Sequence, residues 1–151
     1  MQRARPQLSL KGRALRYLSQ REHSRKELER KLAKHAEDPA DIARALDDLQ
    51  ARGFIDHSRV AESVVHRKAG KHGAMRIRQE LKAKGVEAPL IAASVEKLKA
   101  TEVERAREVW RRKFQPAADA NERAKQARFL AARGFDGEVI RRVIDGAEEE
   151  G

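Results

Sequence analysis

The stretch SRKELERKLAKHAEDPADIARALDDLQARGFID, residues 24–56, decides the fold. Ser24 and Glu27 stand as S-x-x-E, the spacing at which a hydroxyl and a carboxylate cap a helix start reciprocally. Leu28 and Leu32 follow four residues apart, so the helix they begin has one apolar edge. Asp38-Pro39 joins an N-cap acceptor to a proline at the first helical position, where no amide is required. Ile42, Ala45, Leu46 and Leu49 then recur at helical spacing. Gly53 can take the left-handed conformation that ends a helix. Phe54 and Ile55 are expected to pack into the joint, and Asp56 to cap the helix that follows. Nothing alternates as a strand would.

Upstream, Leu10, Ala14, Leu15 and Leu18 form an apolar stripe, which makes this a three-helix unit. Downstream, the same columns return at a period of 49: Leu32, Leu81, Leu130; Ile42, Ile91, Ile140; Leu46, Val95, Ile144. Leu28 and Ile77 obey the period, with Gln126 the polar exception, and Ala36, Gly85 and Gly134 share another column. In the second copy Val60, Val64 and Val65 mark a helix broken at Gly70 to Gly73. Met75, Ile77 and Leu81 mark the next, which Gly85 stops, and Pro89 opens a third through Ile91, Val95 and Leu98. The third copy begins with Val103, Ala106, Val109, Trp110 and Phe114, halted by Pro116. A helix through Ala127, Leu130 and Ala131 then stops at Gly134, and Val139, Ile140, Val143 and Ile144 complete the set.

The expectation is an all-α protein of three tandem three-helix, helix-turn-helix-like repeats: 10–56, 57–101 and 102–147. A basic flexible tail, 1–9, precedes them and an acidic end, 148–151, follows. Units of about 45 residues are too small for a secure core alone, so they are expected to stack into an elongated, curved body.

Lys plus Arg is 34 against 24 Asp plus Glu, a net charge of +10, which favours polyanionic partners. The three thirds of the chain carry +4, +5 and +1, so the middle is the most cationic. The absence of cysteine removes disulfides, thiolate nucleophiles and Cys-based metal sites. No signal-peptide core and no 18-residue apolar run occurs, so a soluble, cytoplasmic protein is expected. No phosphate-binding glycine loop, nucleophile elbow or H-E-x-x-H is present, and no catalytic residue, metal site or cofactor is expected. His23, His66 and His72 read as structural or solvated. Asp47 and Asp48 diverge by about 100° on a helix, which suits separate ion pairs, such as Asp48 with Arg52 and Asp41 with Arg44, better than a shared cation. The third helices are poor base readers, and most of the few aromatics sit at core-like positions. Salt-sensitive phosphate contact therefore suits the chain better than sequence readout.

The stretch LQARGFIDHSRVAESVVHRKAGKHGAMRIRQELKAKGV, residues 49–86, resembles the RecX family of recombinase regulators. The pattern is R-G-F-I-D from Arg52 to Asp56, with Gly53 and Phe54, then Ala61, Arg67 and Gly73. It continues as R-I-x-x-E-L-x-x-K-G from Arg76 through Ile77 and Leu81 to Gly85. Ser24 to Leu32 is similar to the family's first repeat, and Lys125 to Phe135, with Phe129 and Gly134, to its third. His57 departs from a usual second acidic residue, and Val60 from a usual aromatic, which puts local packing in question.

The resemblance implies a role in homologous recombination, DNA repair and the SOS response. Such a protein binds the RecA–DNA filament in its groove and restrains ATP hydrolysis, strand exchange and filament extension, without a catalytic site. Expected contacts are Arg67, Lys68, Lys71, Arg76, Arg78, Lys82 and Lys84. A second cluster is Arg111, Arg112 and Lys113, and Arg3 and Arg5 add a non-specific contribution. Arg76 has the alternative of anchoring Asp56 or Glu80. A monomer with weak, electrostatic DNA contact and no membrane association is expected; an autonomous, non-sequence-specific DNA-binding protein is the competing reading.

Overall fold

The computed structural model describes residues 8–150. Among them lie nine α-helices and no strand: α1 (Leu10–Gln20), α2 (Arg25–Leu32), α3 (Pro39–Ala51), α4 (His57–Lys68), α5 (Ala74–Ala83), α6 (Ala88–Lys99), α7 (Glu102–Arg111), α8 (Ala120–Ala132) and α9 (Gly137–Glu150). They form three tandem three-helix repeats. Arg3 and Arg5 lie outside the described residues.

The helix starts use the caps their sequences offer. Ser9 accepts from the Gly12 amide at 3.0 Å, and Asp38 accepts from the Ala40 amide at 2.9 Å. Ser24 and Glu27 form the reciprocal box at 3.2 and 3.1 Å. Asp56 accepts from Ser58 and Arg59, and Asp136 from Val139. Each such cap stabilises its helix by about 1 kcal/mol. The left-handed stops are Gly53, Gly85 and Gly134, at φ 81°, 77° and 93°. The first repeat has Ala36 in the glycine column. There α2 leaves through a 3-10 turn, Ala33–His35, and Ala36 is extended, so no left-handed residue is needed.

The chain forms two compact units, whose boundary does not follow the repeats. Among the described residues, one contains the chain through Val60 together with Lys84–Val86; the other contains Ala61–Ala83 and the chain from Glu87. In the first, Ala14, Leu28, Leu32, Ile42, Leu46, Leu49 and Ile55 form the core, flanked by Leu10, Tyr17 and Leu18. In the second, Ala106, Val109, Trp110, Leu130, Phe135, Ile140, Val143 and Ile144 do so, flanked by Val103, Phe114 and Phe129.

Several expected core residues are placed elsewhere. Phe54 is exposed, because the turn after Gly53 gives the inward position to its neighbour Ile55. Met75 is exposed because α5 buries the edge Ala74, Ile77 and Leu81, from which position 75 is turned well away. Leu15 lies at the outer border of the α1 stripe. Helix α7 ends at Arg111, so Phe114 follows the helix and Pro116 lies beyond its end. The polar exception Gln126 is buried for a reason. Its Oε1 accepts the Trp110 indole N–H at 2.9 Å while its amide donates to the Gln115 carbonyl at 2.8 Å.

Candidate interaction surface

The cationic side chains of the middle repeat are carried by the end of α4, by the α4–α5 turn and by α5, and a polar framework built on the buried Glu102 holds the turn and the start of α5. The amides of Lys71 and His72 donate to the Lys68 carbonyl, winding the chain tightly between the helices. The Arg105 guanidinium, reaching from α7, donates to the carbonyls of Ala69 and His72 at 2.9 and 2.8 Å. It also pairs with Glu102 at 2.6 Å. Helix α5 has Gly73 where a cap residue would stand, and the buried Glu102 supplies the missing acceptor: Ala74 donates to its Oε1 at 2.9 Å. Burial pushes the Glu102 carboxyl above the usual range, against the pull of the Ala74 amide and Arg105.

Glu102 and Arg105 were not legible as framework residues. The available signals were their i,i+3 spacing and the lack of a cap before Ala74, and neither names the partner.

The start of α5 also receives the end of α8. Gly73 donates to the Arg133 carbonyl at 2.8 Å and Met75 to that of Gly134 at 3.2 Å. Arg76 Nη1 donates to the Ala132 carbonyl at 3.1 Å. A Cβ on Gly73 would overlap the Gly134 backbone, and a Cβ on Gly134 would come within 2.7 Å of the Arg76 amide nitrogen. This junction corrects the alternative anchoring of Arg76 by Asp56 or Glu80: Arg76 serves α8, whereas Asp56 caps α4 and pairs with Arg59 at 3.3 Å. Both glycines are there because two backbones meet.

On this frame Arg67, Lys71, Arg78 and Lys82 are exposed, and none has a side-chain partner among the described residues. Arg78 and Lys82 share a face of α5, with Ile77 and Leu81 buried on another. Lys68 is half-buried in the last turn of α4.

Lys84 does not join them. Its ammonium lies 3.2 Å from Glu27. Burial raises the Glu27 carboxyl, but the Arg21 guanidinium, the Ser24 amide and Lys84 outweigh it and hold it at about 2. The second basic cluster is similarly committed: Arg111 pairs with Glu108 at 2.8 Å, and Lys113 lies 4.1 Å from the centre of the Phe129 ring. Arg112 alone of the three is exposed without a partner among the described residues.

His23, His57 and the paired aspartates have structural placements. Buried His23 binds the Arg21 carbonyl through Nδ1 and Lys31 Nζ through Nε2, each at 3.0 Å, and burial lowers its pKa. His57 Nε2 accepts from the Arg25 amide at 3.1 Å, so the departure at this position satisfies the start of α2. Asp47 pairs with Arg25 at 2.7 Å and Asp48 with Lys11 at 2.8 Å, divergent partners as the helix geometry requires. Asp41 pairs with Arg44, and Asp48 also with Arg52. Among the described residues no group of three His, Asp or Glu gathers around a metal-sized space, and no helix is long and apolar enough to cross a membrane.

Three family models match in order. "RecX, first three-helix domain" covers residues 11–49, the second 56–95 and the third 100–144. "Regulatory protein RecX" of Leptothrix cholodnii is 59% identical over 147 residues, covering 97% of this chain and 94% of that protein. "Regulatory protein RecX" of Ralstonia nicotianae is 49% identical, covering 95% and 91%. The crystal structure of RecX from Lactobacillus salivarius superposes with a TM-score of 0.77 at 23% identity, covering 93% of this chain and 95% of that one. A crystal structure of regulatory protein RecX gives 0.78 at 22%, covering 90% and 71%.

Proposed function

The chain belongs to the RecX family, and from that premise we propose that it is a negative regulator of the RecA recombinase. It binds the RecA–DNA filament along its groove as a monomer and restrains ATP hydrolysis, strand exchange and filament extension. The observation that carries the reading is the unbroken succession of three matched domains over nearly the whole chain. Arg67, Lys71, Arg78 and Lys82 support it, because four exposed cations without partners among the described residues keep their charge available to an anionic surface. At the screening length of physiological salt, about 8 Å, such charges act at contact range. Lys84, Arg76, Arg111 and Lys113 act mainly within the protein, so the candidate contacts narrow to Arg67, Lys71, Arg78, Lys82 and Arg112.

The test is single-stranded-DNA-dependent ATP hydrolysis by RecA, titrated with this protein, with and without excess DNA. Inhibition at substoichiometric protein that persists in excess DNA is the expected result. Inhibition that disappears with excess DNA would overturn the reading in favour of a cationic protein that masks the DNA lattice. Reversing Arg78 and Lys82 to glutamate is expected to weaken inhibition about tenfold. Unchanged inhibition would remove this face from the contact.

A further inference from the structure

We infer that the groove between α8 and α9 is a docking site for an amphipathic, acidic helix of the filament protein, an inference that rests on the reading above. The groove has a volume of about 540 Å³. Its floor is Ile140 and Ile144 of α9, and its α8 wall is built from Ala124, Ala127 and Ala131. Ala124 and Ala131 are exposed, so α8 has an apolar edge on its groove side as well as on its core side. One side faces the core through Leu130 and the other lines the groove. Short side chains allow a second helix to approach closely, at the roughly 8–10 Å between axes that helix packing requires.

The rim states the charge of the occupant. Arg128 and Arg141 stand at the groove edge, one on each helix, and neither has a partner among the described residues. The third groove arginine, Arg123, is already held by Asp145 and Glu148. An apolar floor between two unpaired guanidiniums fits a helix with small or aliphatic residues along one edge and carboxylates beside them. A DNA backbone matches only half of this: its phosphates would satisfy the arginines but gain nothing from Ile140, Ile144 and the alanines.

The absence of cysteine permits a direct test with the full chain, because Ala124→Cys is then a unique attachment point for a photo-crosslinker. Two further variants, Ala124→Trp to fill the groove and the double reversal R128E/R141E, change exposed residues and are checked for helix content by circular dichroism. With wild-type protein inhibiting RecA as proposed, each variant is expected to raise the half-inhibiting concentration about tenfold or more. The cross-link is expected on an acidic helical segment of RecA in the filament. Wild-type potency in both variants, or cross-links only to DNA or to a second copy of this chain, would overturn the groove while leaving the regulator reading intact. A wild-type protein that fails to inhibit in excess DNA would overturn both.

Discussion

The tripeptide Arg-Gly-Phe occurs twice, at Arg52–Phe54 and at Arg133–Phe135, each time at a helix C-terminus. Locally the copies are alike. Gly53 donates to Gln50 and Phe54 to Leu49; Gly134 donates to Ala131 and Phe135 to Leu130. Both are Schellman stops with a left-handed glycine. Beyond the backbone they part. Phe135 is 2% exposed and Phe54 is 46% exposed. A Cβ on Gly53 would meet nothing within 4 Å, whereas one on Gly134 would overlap Arg76. Arg52 returns to Asp48 on its own helix, while Arg133 lies 4.9 Å from the centre of the Phe129 ring. Identical residues with identical hydrogen bonds therefore end one helix in solvent and the other inside a junction. A motif sets its own turn; its neighbours set what the turn is for.

The comparison is sharpest at the aromatics. Phe135→Ala is expected to destabilise the protein by about 4 kcal/mol, and Phe54→Ala by less than about 0.5 kcal/mol, in denaturant titration. Equal losses would mean that both phenylalanines are core. The glycines come next. Gly134→Ala is expected to cost about 3 kcal/mol from left-handed strain plus overlap with α5, against about 1 kcal/mol for Gly53→Ala from strain alone. A similar cost at both would break the assignment of Gly134 to a backbone junction.

Acid separates the two ends of the chain by another route. Glu27 of the first repeat has its pKa depressed from 4.5 to about 2, so the stability it contributes is complete above pH 4.5 and is lost as pH falls toward 2. Glu102 of the α7 framework is shifted upward by burial, so its protonation on acidification does not remove stability in the same way. Hydrogen exchange between pH 4.5 and 2.5 should therefore show α2 losing protection before α8 and α9, by about 2 kcal/mol. Glu27→Gln should abolish most of that pH dependence. The smallest effects are expected at the arginines, about 0.5–1 kcal/mol for Arg133→Ala through the Phe129 ring and near zero for Arg52→Ala.

How much was legible follows from the range of each interaction. The caps at Ser24, Asp38 and Asp56 and the stops at Gly53 and Gly134 involve partners within six residues, and these, with the left-handed Gly85, stand where their residues placed them. The 49-residue columns found the buried edges of α2, α3, α5, α8 and α9 because burial repeats with helical period. Glu102 capping α5 spans 28 residues, and Arg76 on Ala132 spans 56. No local pattern encodes such partners. The candidate surface was legible as a region and only partly as residues. Arg67, Lys71, Arg78 and Lys82 stand exposed, but Lys84 and Lys113 carry the same charge in sequence and are engaged by Glu27 and Phe129.

The sequence by itself determined the helices, their order, their threefold repetition and the family, because capping, helical periodicity and glycine stops act over a few residues and leave fixed spacings. Only the tertiary structure decided which glycine must remain a glycine for want of space, which phenylalanine is buried and which cations stay available to a partner. Those outcomes depend on what a distant segment brings within about 4 Å, the distance at which packing and ion pairing become strong.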